Sequence, residues 1–213
     1  LLSELRQNAI VPQLLARDPT LISALDSGDF TQSSQRLISF NEEISAASLT
    51  LLDNDGRVVV ATDRSMIGQS NKTAAYFVDT LRSGDNVFTV VHEETGAFRF
   101  FYTRRIMSNQ ALAGMIVVEV DLKKYERAWA GISDAVLVTD SEGRIILATE
   151  PRWRGLTEAE ALVREPANSA ILRALQATAD WSTLPPDAYL EGEAVMRVQG
   201  RVAFRGWRIA SFT

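Results

Sequence analysis

AVLVTDSEGRIILAT, Ala135 to Thr149, is two apolar runs joined by a polar turn, the pattern of a β-hairpin. An earlier stretch, LTLLDNDGRVVVAT (Leu49 to Thr62), has the same design around Asn54-Asp55-Gly56. The two align at a constant offset. Asp53 falls on Asp140, Gly56 on Gly143, Arg57 on Arg144, Ala61 on Ala148 and Thr62 on Thr149, and Gly68 and Gly155 keep the same spacing. The period is too long for a solenoid. It predicts two tandem copies of one α+β module.

The flanks of each hairpin complete the module. After the first come a helix (Thr73 to Ser83) and strands over Asn86–His92, Ala97–Ile106 and Leu112–Asp121, with Met107 to Gln110 as a turn. Asp121 to Gly131 reads as a short connecting helix. After the second hairpin come helical stretches near Thr157–Arg164 and Asn168–Ala179, a loop over Trp181–Asp187, and strands over Tyr189–Val198 and Val202–Phe212. The order of hairpin, helix and meander predicts PAS-like modules. Each is an antiparallel sheet of about five strands with one face covered by helices and loops. The first 45 residues are helical in pattern. Pro12 marks a kink, Asp18-Pro19 an N-cap followed by proline at the first helical position, and Phe30 to Ile44 a third helix. The expected organisation is therefore α+β: a long N-terminal helical stalk (1–45), then modules over 46–121 and 122–213.

Composition narrows the function. The chain has 213 residues, 46% hydrophobic and 23% charged, enough to bury a core. A net charge of −5 supplies no basic footprint for nucleic acid. The absence of cysteine excludes disulfides, thiolate zinc sites and a cysteine nucleophile, and a single histidine, His92, leaves no material for a histidine-rich metal site. No catalytic motif is present, and no catalytic residue, metal or cofactor is expected. The Asp53, Asp55 and Asp63 set lacks the remaining ligands of a calcium loop, so turn chemistry accounts for it. No window nears the roughly 18 apolar residues of a membrane span. The sequence, opening on Leu1, is expected to be an excised part of a longer protein.

One residue breaks the pattern. GMIVVEVDL (Gly114 to Leu122) is an apolar strand with a carboxylate, Glu119, inside it. A buried carboxylate needs a cation. Lys72, Arg99, Arg104 and Arg105 are the candidates in the chain. Alternation along RFFYTRR puts Arg99, Phe101, Thr103 and Arg105 on one strand face. Either Glu119 meets one of these arginines, or its cation arrives with a ligand as an amine, amino acid or betaine. Glu93-Glu94 reads as a solvent turn, and the four tryptophans as packing.

The whole chain resembles the extracytoplasmic double-Cache (tandem PAS-like) sensor domains, and is most similar to the periplasmic region of C4-dicarboxylate sensor histidine kinases. In the first module the residues that carry this are Gly68, AYF (Ala75 to Phe77), FYTRRI (Phe101 to Ile106) and VVEVDL (Val117 to Leu122). In the second they are SDAVLVTDSEGRIILATEPRWRG (Ser133 to Gly155) and GWRI (Gly206 to Ile209). The resemblance implies a periplasmic domain tethered to the inner membrane, a homodimer through the N-terminal helix, and a small organic ligand held in the membrane-distal first module. Dicarboxylate sensors of this kind carry an arginine before that helix and a lysine in the last strand. Here those positions hold Ala74 and Glu119. A small polar metabolite, a carboxylate or an amino-acid-like molecule, is expected over Lys72, Thr73, Tyr76, Arg99, Phe101, Thr103 and Glu119. The lid segment contributes Lys72 and Thr73. A ligand-free interaction domain, or the same sensor on a chemoreceptor or cyclase, is the alternative.

Overall fold

The structure, a computed structural model, describes residues 1–130, 135–162, 189–190, 193–194 and 196–212. It divides into two compact units, Leu1–Leu122 and Lys123–Thr213. The helix expected at Asn168–Ala179 and the loop at Trp181–Asp187 lie outside the described residues.

The first unit opens with helices α1 (Leu2–Leu15), α2 (Pro19–Ser27) and α3 (Thr31–Ile44). Pro12 sits inside α1. The Asp18 carboxylate accepts the Thr20 N–H at 2.8 Å, and Pro19 opens α2, which is the predicted cap. Five strands follow: β1 (Ser48–Asp53), β2 (Val58–Ala61), β3 (Val87–His92), β4 (Phe98–Ser108) and β5 (Ala111–Val120), with helix α4 (Ala75–Arg82) between β2 and β3. All pair antiparallel, in the order β2-β1-β5-β4-β3. The β4–β5 turn places Asn109 and Gln110 at positive φ.

This sheet is covered on both faces, where one covered face was expected. On one, Leu52, Met115, Val117 and Phe101 pack with Tyr76 and Phe77 of α4. On the other, Leu25 of α2 lies against Gly114, and Asn86 donates to the Ala9 carbonyl of α1 at 2.6 Å. The physical reason lies in β1 and β5, in which consecutive residues, Ser48 to Leu52 and Gly114 to Val118, are all buried. Ile116 and Val118 are as buried as Met115 and Val117, and leaving either set in water would forfeit their burial energy. The segment expected as a stalk therefore falls within this first unit, with Leu5, Leu21 and Leu37 fully buried.

The second unit begins with α5 (Lys123–Trp129). It continues through β6 (Ala135–Thr139), β7 (Ile145–Ala148), α6 (Glu158–Ala161), β8 (Tyr189–Leu190), β9 (Glu193–Ala194), β10 (Arg197–Arg201) and β11 (Arg208–Phe212). Among the described residues its sheet has four strands, β10-β11-β6-β7, and β8 pairs with β9 as a separate ladder. The predicted strand over Tyr189–Val198 is thus divided. Glu126 of α5 is buried and accepts the Ala148 N–H at 2.9 Å and two bonds from Arg154, at 3.0 and 2.5 Å. Trp153 and Trp207 are core residues, as expected, whereas Trp129 is half-exposed against Tyr125.

The repeat holds at the level of single hydrogen bonds. Asp53 accepts the N–H groups of Asp55 and Arg57, and Asp140 those of Glu142 and Arg144. The carboxylate organises a turn that Gly56 and Gly143 complete at φ +81° and +82°. Thr62 Oγ1 accepts from Leu49 N and Thr149 Oγ1 from Val136 N, each at 3.0 Å. The bridge Arg57–Ser70 is matched by Arg144–Thr157.

Candidate functional site

The site grows from one row of the first sheet. Ser48, Glu119, Phe101 and Thr89 stand opposite one another across β1, β5, β4 and β3. All four belong to the α4-covered face, since Phe101 touches Tyr76 of α4 with ring centroids 4.8 Å apart. Arg99 is two residues before Phe101 on β4 and shares its face, so its guanidinium reaches Glu119 diagonally.

The pair closes in a fork. Arg99 Nε donates to Glu119 Oε1 at 2.7 Å and Nη2 to Oε2 at 2.6 Å, while Ser48 Oγ donates to Oε2 at 2.9 Å. Both members keep some exposure, 29% for the Arg99 side chain and 15% for Glu119. The guanidinium also lies 5.0 Å from the centre of the Phe101 ring and 3.5 Å from Glu93 Oε1. The hydrogen bonds that Arg99 donates to Glu119 hold its proton more firmly than usual, against the opposing effect of burial. Burial pushes the Tyr76 phenol above its ordinary value, with Arg99 pulling it down and Glu119 pushing it up. The Asp63 carboxyl lies below its ordinary value, mainly through the Ser65 hydroxyl and N–H, with a smaller pull from Arg99. One guanidinium therefore pairs with two carboxylates, Glu119 and Glu93.

The structure brings Tyr76, Arg99, Phe101 and Glu119 together. Thr103 is fully buried in the same face, hydrogen-bonded to Thr80 of α4, whose hydroxyl also donates to the Tyr76 carbonyl at 2.6 Å. Lys72 and Thr73 are exposed in the segment leading into α4, with the Lys72 backbone folded over Gly56. Arg104 takes the opposite strand parity and bonds Asn86 at 3.2 Å. Sequence reasoning missed three contributors. Glu93 belongs to a turn but turns its carboxylate onto Arg99. Ser48 is reached through pairing of distant strands. Thr89 is 8% exposed, and its hydroxyl has no hydrogen-bond partner among the described residues. Only the polar residue at an inward strand position could have signalled it. No group of three or more His, Asp or Glu able to hold a metal occurs among the described residues.

No family profile matches the chain. It is 26% identical over 227 residues to the C4-dicarboxylate transport sensor protein DctB of Rhizobium meliloti (strain 1021). That alignment covers 96% of the chain and 36% of the relative, so the chain spans about a third of the relative's length. In fold it matches the sensor domain of the V. cholerae histidine kinase DctB, with a TM-score of 0.69, 20% identity, and coverage of 99% of this chain and 90% of that one. It also matches the ligand-binding domain of the Pseudomonas aeruginosa PAO1 amino acid chemoreceptor PctC in complex with GABA. There the TM-score is 0.64 and the identity 17%, with 100% of this chain and 92% of that one covered.

Proposed function

We propose that this chain, a double-Cache (tandem PAS-like) sensor domain most like those of C4-dicarboxylate sensor histidine kinases, is the extracytoplasmic sensing part of a bacterial transmembrane receptor, on which the first module binds a small polar metabolite above the Arg99–Glu119 pair. The full-length protein is then a two-component histidine kinase held in the inner membrane. No described helix is long and apolar enough to cross a membrane. The domain boundaries of this reading are a helical lead-in to residue 45 and modules over 46–121 and 122–213. The lead-in helix pairs with its copy and transmits the signal.

The observation that carries the reading is the row Ser48–Glu119–Phe101–Thr89 with Arg99 beside it. A charge pair that keeps exposure, next to a buried hydroxyl without a partner, is an arrangement a polar ligand completes. The chemistry favours an amino-acid-like ligand over a dicarboxylate. Arg99 is already matched by Glu119 and Glu93, so a doubly anionic ligand would meet uncompensated carboxylates. A zwitterion sets its amine against Glu119 or Glu93 and its carboxylate against Arg99. The GABA-bound chemoreceptor domain of the same fold supports this class. A ligand changes the receptor's state only through different affinity for two arrangements, and closure of the Lys72–Thr73 segment over the row is one such difference.

The test is a thermal-shift screen against amino acids, small amines and C4-dicarboxylates. A ligand at about 100 times its dissociation constant adds about 2.7 kcal/mol to the folded state. An amino-acid shift abolished in Glu119→Gln supports the reading. A succinate shift that survives Glu119→Gln but is lost in Arg99→Ala refutes the zwitterion assignment. No shift with any of them favours a ligand-free interaction domain.

A further inference from the structure

The second module has a cleft of its own. It has a volume of about 330 Å³ and is bounded by β6, β10, β11 and α6. This size is near the lower end for pockets that hold small organic molecules. Leu137 and Ala210 form part of an apolar lining, and the short Ala210 side chain leaves space between its neighbours. Thr139, Gln199, Arg197 and Arg208 add polar groups, and Glu142 and Glu158 add carboxylates.

The ladder register explains the charge. Arg197, Gln199 and Arg201 alternate along β10 and stand opposite Phe212, Ala210 and Arg208 of β11. Arg201 and Arg208 are therefore directly opposed like charges at exposed positions, a destabilising pairing. Arg197 has its counter-charge, with Nε and Nη2 donating to Glu158 Oε1 at 2.9 and 2.6 Å. Among the described residues no carboxylate pairs with Arg208. The cleft thus combines an apolar lining, hydroxyl and amide groups, the Arg197–Glu158 pair, the Glu142 carboxylate, and one guanidinium, Arg208, that pairs with no described carboxylate.

We infer that this cleft is a second binding site, taking a small organic carboxylate whose anionic end is held by Arg208 and whose carbon chain lies against Leu137 and Ala210. The guanidinium fork suits a planar carboxylate in two parallel bonds. The inference does not depend on the first module's ligand, because no residue is shared.

The experiment is a calorimetric titration of the chain with lactate, succinate and inorganic phosphate. Four proteins are compared: the unaltered chain, Arg208→Ala, Arg208→Lys and Arg99→Ala. Arg208 is exposed, so its variants are expected to fold, with melting temperatures confirming this. The expected result is saturable carboxylate binding that weakens by roughly tenfold or more in Arg208→Ala, recovers in part in Arg208→Lys and is unchanged in Arg99→Ala. The inference is overturned by any of four results: absence of binding to about 10 mM, binding undiminished in Arg208→Ala, loss in Arg99→Ala, or phosphate binding as tightly as the carboxylates.

Discussion

Removing the charge of Glu119 tests the site most directly. In Glu119→Gln the side chain keeps its length but one oxygen becomes an amide nitrogen. It retains a single acceptor where the native residue takes three hydrogen bonds, from Arg99 Nε, Arg99 Nη2 and Ser48. Fully exposed pairs contribute about 0.2–1 kcal/mol, and breaking a buried one costs about 3–5 kcal/mol. With side chains 15% and 29% exposed, this pair falls between, at about 1–3 kcal/mol. For a chain of this size that is a fall in melting temperature of about 2–4 °C per kcal/mol. The assay is a double-mutant cycle in urea with Glu119→Gln, Arg99→Met and both together. Each single change strands a partner, so the double variant should lose less than the sum, with a coupling of about 1–2 kcal/mol. Additive losses, with a coupling under about 0.3 kcal/mol, would refute the view that Glu119 is held by Arg99 in solution.

Other perturbations have equally definite outcomes. Thr89→Val removes a buried hydroxyl with no partner, so stability should hold within about 0.5 kcal/mol while the first-module ligand binds roughly fivefold more weakly; unchanged affinity places the hydroxyl outside the site. Glu126→Ala strips the Ala148 N–H and the Arg154 guanidinium of their acceptor and should cost about 3 kcal/mol in urea unfolding; a loss under about 1 kcal/mol contradicts the buried fork. In Gly114→Ala the new methyl would stand 2.2 Å from the Leu52 carbonyl oxygen and 2.9 Å from a Leu25 methyl, so β5 must shift; a loss of at least about 2 kcal/mol is expected, and a native-like denaturation midpoint would refute that packing. At Asp18 burial raises the carboxyl pKa, but Arg36 at 2.9 Å and the Thr20 N–H outweigh it, and the net value lies below 3.8. A depressed folded pKa stabilises above the unfolded value and loses that contribution as pH falls through the folded one. The gap in melting temperature between the native chain and Asp18→Asn should therefore be full near about pH 6 and close towards about pH 3, and a gap independent of pH would exclude the linkage.

The sequence alone carried what is local. The Asp–Gly turns, the alternation of β4 and the Asp18 cap depend on residues within a few positions of each other. The repeated hairpins exposed the duplication because each copy encodes the same short-range bonds. Strand parity also placed Arg104 on the opposite face from Arg99, before any partner strand was known. What decided the site was non-local. Glu119 had several possible cations, and only the β4–β5 register, which sets it opposite Phe101 and sets Arg105 opposite Met115, gave it Arg99. Ser48, Glu93 and Thr89 join through strand pairing and a turn. Their spacing along the chain carries no periodic signal, so no pattern could announce them. The covering of the first sheet on both faces was likewise a tertiary outcome. An amphipathic helix shows that it has an apolar side, but only the apolar surface left open by β1 and β5 determines where that side is buried.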